Sequence, residues 1–155
     1  MLKHRRKQNG GAFIEMSISL CILIVLAALG SDMTLITFGM FLNDKTCRDA
    51  ARAAAQQTTS ARALQAAQAQ LRVHATDGTF ISQPILVSQT SPNFVYNDYA
   101  GNPPANQSSY VTVTTSINIK LPAPIFFWGI NFLPSGTLQT VRRYTYPIVK
   151  ERFYG

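Results

Sequence analysis

Histidine and cysteine are scarce in this chain of 155 residues, with two of each. His4 and His74 lie far apart, and neither has a cysteine or carboxylate cluster beside it. Metal binding is therefore not expected, and no cofactor is implied. Cys21 and Cys47 are 26 positions apart. On one continuous helix that is about 39 Å, against the roughly 7 Å between Cα atoms that a disulfide tolerates. Both thiols read as small packing residues. Acidic residues number only 7. None forms a recognisable pair with a histidine or a nucleophile motif, and G-x-S-x-G, H-E-x-x-H and phosphate-loop patterns are missing, so an enzyme is not expected. The formal charge is +7, but Lys3, Arg5, Arg6 and Lys7 supply four of those charges ahead of the first apolar residues of a long run. Without them the remainder is unremarkable, and no nucleic-acid footprint is left.

What is present is a run of 19 residues, AFIEMSISLCILIVLAALG, at 12–30. As a helix it measures about 28 Å, the thickness of a bilayer core. Glu15 alone interrupts it, at a cost on the order of 3 kcal/mol on insertion scales. The cations precede the run. The stretch after it sets Lys45 and Arg48 against Asp32, Asp44 and Asp49. The bias of positive residues toward the cytoplasm puts the N-terminus inside and the rest outside. A cleaved secretory signal ending at Ala28-Leu29-Gly30 and a plain signal anchor both account for the topology. Neither accounts for Glu15.

Residues 31–73 contain no proline and one glycine, Gly39. The segment 48–70 is rich in alanine, the strongest helix former. Asp44 with Arg48, Lys45 with Asp49 and Asp49 with Arg52 stand at helical spacing. Leu64, Ala67 and Leu71 share a face. Thr58-Thr59-Ser60 is the weakest point, and Thr76-Asp77-Gly78 is the expected end, with Gly78 as cap. The alanine stripe suits packing on the chain's own domain, or close approach to other helices.

Beyond Gly78 the pattern changes to strands. Residues 79–81 and 84–87 read as one strand broken by Pro84, and 93–109 as a turn-rich loop. Residues 110–121, YVTVTTSINIKL, form the clearest strand, with Val111, Val113, Ile117 and Ile119 alternating. Residues 138–149 read as its partner. The expected fold class is α+β: a long N-terminal helix packed on a small antiparallel sheet. The boundaries are a basic leader at 1–10, a transmembrane helix at 11–30, its extracytoplasmic continuation at 31–76 and a β domain at 77–155. Between the last two strands lies an apolar connection, 121–136, carrying Phe126, Phe127, Trp128 and Phe132. It is too short and proline-bounded to span a membrane. It either folds over the sheet or forms an exposed tip that touches a partner subunit or the membrane face.

The basic leader, Gly10, then Gly11-Ala12-Phe13-Ile14-Glu15 and an apolar helix resemble the class III signal of type IV pilin-like proteins. Arg5-Arg6, the Gly-x-x-x-x-Glu step and the helix Arg48-Asp49-Ala50-Ala51-Arg52-Ala53-Ala54 resemble more narrowly the TadE-like pseudopilins of tight-adherence pilus systems, whose TadF and TadG relatives share the same start. Met16 departs from the phenylalanine the family often places after the glutamate, and Gly11 is an additional glycine. The resemblance implies cleavage by a prepilin peptidase at Gly10 or Gly11. A cut after Gly10 puts Glu15 at the family's fifth mature position. A glycine lacks Cβ and lets the peptidase approach the backbone. The resemblance also implies assembly through Glu15, which can pair with an N-terminal ammonium inside the membrane. The implied partners are the major Flp-type pilin and other minor pilins. The implied location is the inner membrane, crossed once, with possible incorporation into a surface pilus. A membrane-anchored binding or sensor domain with an uncut N-terminus is the alternative.

Overall fold

The computed structural model describes residues 8–122, 126–127, 130–131 and 136–148, with side chains for all but 8–10, 126–127 and 130–131. Helix α1 is Gln8–Ala55, 48 residues and about 72 Å long. It ends where alanine gives way to Gln56-Gln57-Thr58-Thr59. The Gln57 N–H bonds back to the Ala54 carbonyl at 3.1 Å, a tightened last turn. Thr59 then starts a second helix, α2, Ser60–Val73. It is extended (φ −135°, ψ 151°), and its hydroxyl accepts from the Arg62 N–H, the usual chemistry of a threonine N-cap.

The helical segment breaks at the weak point read from the sequence, Thr58-Thr59-Ser60, because a hydroxyl that caps a new helix competes with the backbone of the old one. One expectation is corrected here. The end is His74, not Gly78. Gly78 lies in a following turn at φ +74°, a conformation natural to glycine.

α2 folds back on α1. Ala63, Ala67 and Leu71 pack against Ala50, Ala51 and Ala54, joined by Phe94, Val111 and Val113. Small side chains on both helices let the backbones come close. His74 then faces Asp49, with Nε2 and Oδ2 3.2 Å apart. Asp49 therefore meets a residue 25 positions away, where its helical neighbours Lys45 and Arg52 were expected.

The sheet is antiparallel and centred on β3, Tyr110–Lys120. Naming the strands in chain order, β1 is Ile85–Leu86, β2 is Phe94–Asn97, β4 is Phe126–Phe127, β5 is Ile130–Asn131 and β6 is Thr137–Pro147. β6 pairs with β3 from Tyr110↔Pro147 to Lys120↔Thr137. The other edge is shared end to end: β2 lies against Tyr110–Val113, β1 against Thr115–Ser116, and Ile81 bridges Ile119. β4 and β5 form a separate two-stranded hairpin. β2 corrects the expectation of an unbroken loop at 93–109. Phe94 is buried, and pairing with β3 outweighs the turn-forming residues around it.

Directly paired residues share a face. Val111, Val113, Thr115, Ile117 and Ile119 face α1 together with Phe94, Leu86, Ile81, Tyr144 and Tyr146. A second apolar cluster forms at the other end of the sheet, where Ile81, Ile117, Ile119 and Leu121 meet Leu35, Ile36, Leu42 and Leu138. The opposite face is threonine-rich, with Thr112 and Thr145 hydroxyls 2.8 Å apart.

Candidate functional site

α1 has two different halves. From Gly11 to about Gly30 nearly every side chain is exposed, and Phe13, Met16 and Leu23 are more than half so. This half is long and apolar enough to cross a membrane, and none of its most apolar stretch is buried in the protein. Two hydroxyls in and just above it bond within the helix: Ser17 donates to the Phe13 carbonyl at 2.8 Å and Ser31 to that of Ala27 at 3.0 Å. Thr34 and Thr37 do the same one turn higher, to Gly30 and Met33. Such back-bonding removes the need for water.

The residues singled out in the sequence are spread along this chain rather than gathered in a cleft. Gly10 and Gly11 lie in the first turns of α1, and a Cβ on Gly11 would meet nothing within 4 Å. Glu15 is exposed one turn further on. Phe126 and Phe127 form β4. Trp128 and Phe132 lie outside the described residues. Among the described residues no group of three His, Cys, Asp or Glu side chains converges.

The upper half of α1 carries a line of residues, Asp32, Gly39, Asn43, Cys47, Ala50 and Ala54, that is buried at helical spacing. Gly39 meets the Ile119 side chain. Asn43 donates to the Thr140 carbonyl at 3.0 Å and accepts from the Thr115 hydroxyl at 2.7 Å, so one amide ties α1 to both β3 and β6. The Cys47 thiol lies 3.4 Å from the carbonyl oxygens of Val113 and Arg142, again one on each strand. Burial pushes this thiol's pKa up, more than its hydrogen bonding with Thr115 lowers it. Cys47 is thereby kept protonated and unreactive.

At the solvent edge of this seam Arg48, Asp44 and Tyr144 close a triangle. The Arg48 Nε–H donates to the Tyr144 hydroxyl at 3.0 Å, that hydroxyl donates to Asp44 at 2.6 Å, and Asp44 pairs with Arg48. The Tyr144 hydroxyl first, and Asp44 after it, hold the Arg48 guanidinium above its ordinary pKa. One helical turn on, Arg52 repeats the contact with Tyr146 at 3.1 Å. Both guanidinium carbons stand over the tyrosine rings, 5.2 and 5.5 Å from the centroids. The Arg/Asp/Ala-rich segment thus acts as a clasp between helix and sheet. Of its helical charge pairs, Asp44 with Arg48 is formed.

Sequence reasoning gave no role to Asn43 and used Asp32 only in the charge balance beyond the apolar run. Asp32 is 1% exposed, and neither carboxylate oxygen has a hydrogen-bond partner. The signal available was its phase: Asp32, Ile36, Gly39 and Asn43 recur at the spacing of one helix face. A shallow cleft of about 350 Å³ between α2 and β1, lined by Gln68, Leu71, Arg72 and Pro84 among others, contains none of these residues. Set against protein-family models, curated proteins and solved structures, the chain matches none.

Proposed function

We propose that this protein is a pilin-like structural subunit, of the TadE-like kind its N-terminal segment resembles, which a prepilin peptidase processes and which takes part in assembling a tight-adherence or type IV-like pilus or a related secretion apparatus. The observation that carries this reading is the division of α1. One helix offers an exposed apolar half containing a single carboxylate, Glu15, and seats its other half on a small antiparallel sheet. An isolated carboxylate on a membrane-facing helix needs a cation, and a processed N-terminus of a neighbouring subunit is the nearest cation that such an assembly provides. In this reading the domain stands outside the cytoplasm, Gly10 and Gly11 present the cleavage site, and the partners are the peptidase and other pilin-like subunits. No catalytic role is assigned.

The test is the mature N-terminus, measured by mass spectrometry in cells with and without the peptidase. A peptidase-dependent start at Gly11 or Ala12 is expected. An intact N-terminus would leave an anchored extracytoplasmic domain instead, and a start at Ser31 would reduce the apolar run to a secretory signal.

A further inference from the structure

In the sequence, Asp32 closes the apolar run. In the fold it does not, because Asp32 is turned into the protein and is 1% exposed. It is the only charged residue between Glu15 and Asp44. On the face of α1 turned away from the sheet, the helix is therefore free of charge over the 28 residues from Met16 to Asn43, or about 42 Å. That length matches a whole bilayer with its headgroup layers, about 40–45 Å, rather than the hydrocarbon core alone.

The added length is apolar. Met33, Phe38 and Phe41 are 63%, 55% and 64% exposed and form one surface with Thr34 and Thr37. The two threonine hydroxyls are spent on helix carbonyls at 2.8 Å, so this surface offers water little to bind. It runs without interruption into the exposed half of the helix below.

The sheet brings its own edge to the same level. Ile119 lies against Gly39, Thr115 against Asn43 and Cys47 against Val113. β3 therefore descends as α1 rises. It ends with exposed Lys120 beside the Leu35–Ile36 level of α1, where Leu121 pairs its N–H with the Gly136 carbonyl at 2.9 Å. That pair is the base from which the chain carrying the β4–β5 hairpin leaves. The base stands only about 9 Å above Gly30 along the helix axis.

We infer that the domain rests on the lipid bilayer instead of standing clear of it. The Met33–Phe38–Phe41 face of α1 lies in the outer layer of the membrane on the domain's side. The occupant of this apolar face is phospholipid. The inference rests on reading the lower half of α1 as a membrane span. It is independent of peptidase processing and of which side of the membrane the domain occupies.

The test is spin-label accessibility in the full chain, reconstituted in phosphatidylcholine/phosphatidylglycerol vesicles. Labels go on Leu23→Cys, Phe38→Cys and Arg62→Cys, each in a Cys21→Ser, Cys47→Ala background. The expected result is that Phe38→Cys behaves like Leu23→Cys, reached by oxygen and shielded from a water-soluble nickel chelate, with Arg62→Cys reversed. A nickel-accessible Phe38→Cys beside a lipid-exposed Leu23→Cys overturns the inference and leaves the span intact. If Leu23→Cys is also water-exposed, the span itself fails. A Phe38→Cys label that couples magnetically to its copy in a second chain makes another subunit the occupant and equally overturns the inference.

Discussion

Gly39 and Ile119 touch so closely that a Cβ built on the glycine would stand 2.5 Å from Ile119 Cδ1 and 2.7 Å from its Cγ1. The helix can approach the sheet here only because position 39 has no side chain. Ile119 is fully buried and has no room to retreat. Gly39→Ala gains helix propensity of about 1 kcal/mol, against an overpacking cost of about 1–3 kcal/mol. A net loss is expected, read as a lower melting temperature in detergent. Adding Ile119→Val, which removes Cδ1, is expected to restore part of it; no recovery would mean that the contact is not the cause.

The Asn43 side-chain amide joins α1 to both β3 and β6. Asn43→Leu has nearly the same size but leaves the Thr115 hydroxyl and the Thr140 carbonyl without this partner. A loss of about 1–3 kcal/mol is expected, the cost of stranding buried polar groups. Asn43→Leu combined with Thr115→Val is expected to cost less than the two single changes added together, and strict additivity in that double-mutant cycle would count against the bond.

Asp32 presents the opposite case, since it is buried with neither oxygen partnered. Removing an uncompensated carboxylate relieves its desolvation, so Asp32→Ala is expected to stabilise the chain by about 1–3 kcal/mol. Thermal unfolding of the detergent-solubilised protein measures this. A clear destabilisation would show that the carboxylate has a favourable contact.

Cys47 gives a pH dependence. Its pKa is raised in the folded chain by burial, so the folded state keeps a proton that the unfolded state releases. The stabilisation is complete below the ordinary thiol value of 9.0 and is lost as pH rises through it toward the raised folded value. The slope from this one group is at most about 1.4 kcal/mol per pH unit. Melting curves on either side of that pH are expected to converge in Cys47→Ala; an identical slope in both proteins would assign the pH dependence elsewhere.

Much of the fold is legible because it is local. The apolar run at 12–30, the alanine-rich helix beyond it and the alternation of Val111, Val113, Ile117 and Ile119 are periodic signals, and each appears as its element. The break at Thr58-Thr59-Ser60 was visible as a weak point because threonine caps helices as readily as it continues them. β2 was not visible: four residues among asparagine, aspartate and glycine become a strand only when β3 provides hydrogen-bonding partners. The pairing of Asp49 with His74 was hidden for the same reason, since it depends on α2 folding back.

The sequence by itself determined that one end of this protein is an apolar helix with a lone carboxylate, and that the other end is built of strands. Hydrophobic periodicity and helix propensity are properties of neighbouring residues and need no tertiary contact. Which side of the helix faces the sheet was decided only by the fold, because Gly39, Asn43 and Cys47 find their partners at positions 66 to 97 residues away where hydrogen bonds form. That choice of face buries Asp32, clasps Arg48 and Arg52 against Tyr144 and Tyr146, and leaves Met33, Phe38 and Phe41 outside. Burial is a property of both surfaces in a contact, and one strand of sequence contains only one of them.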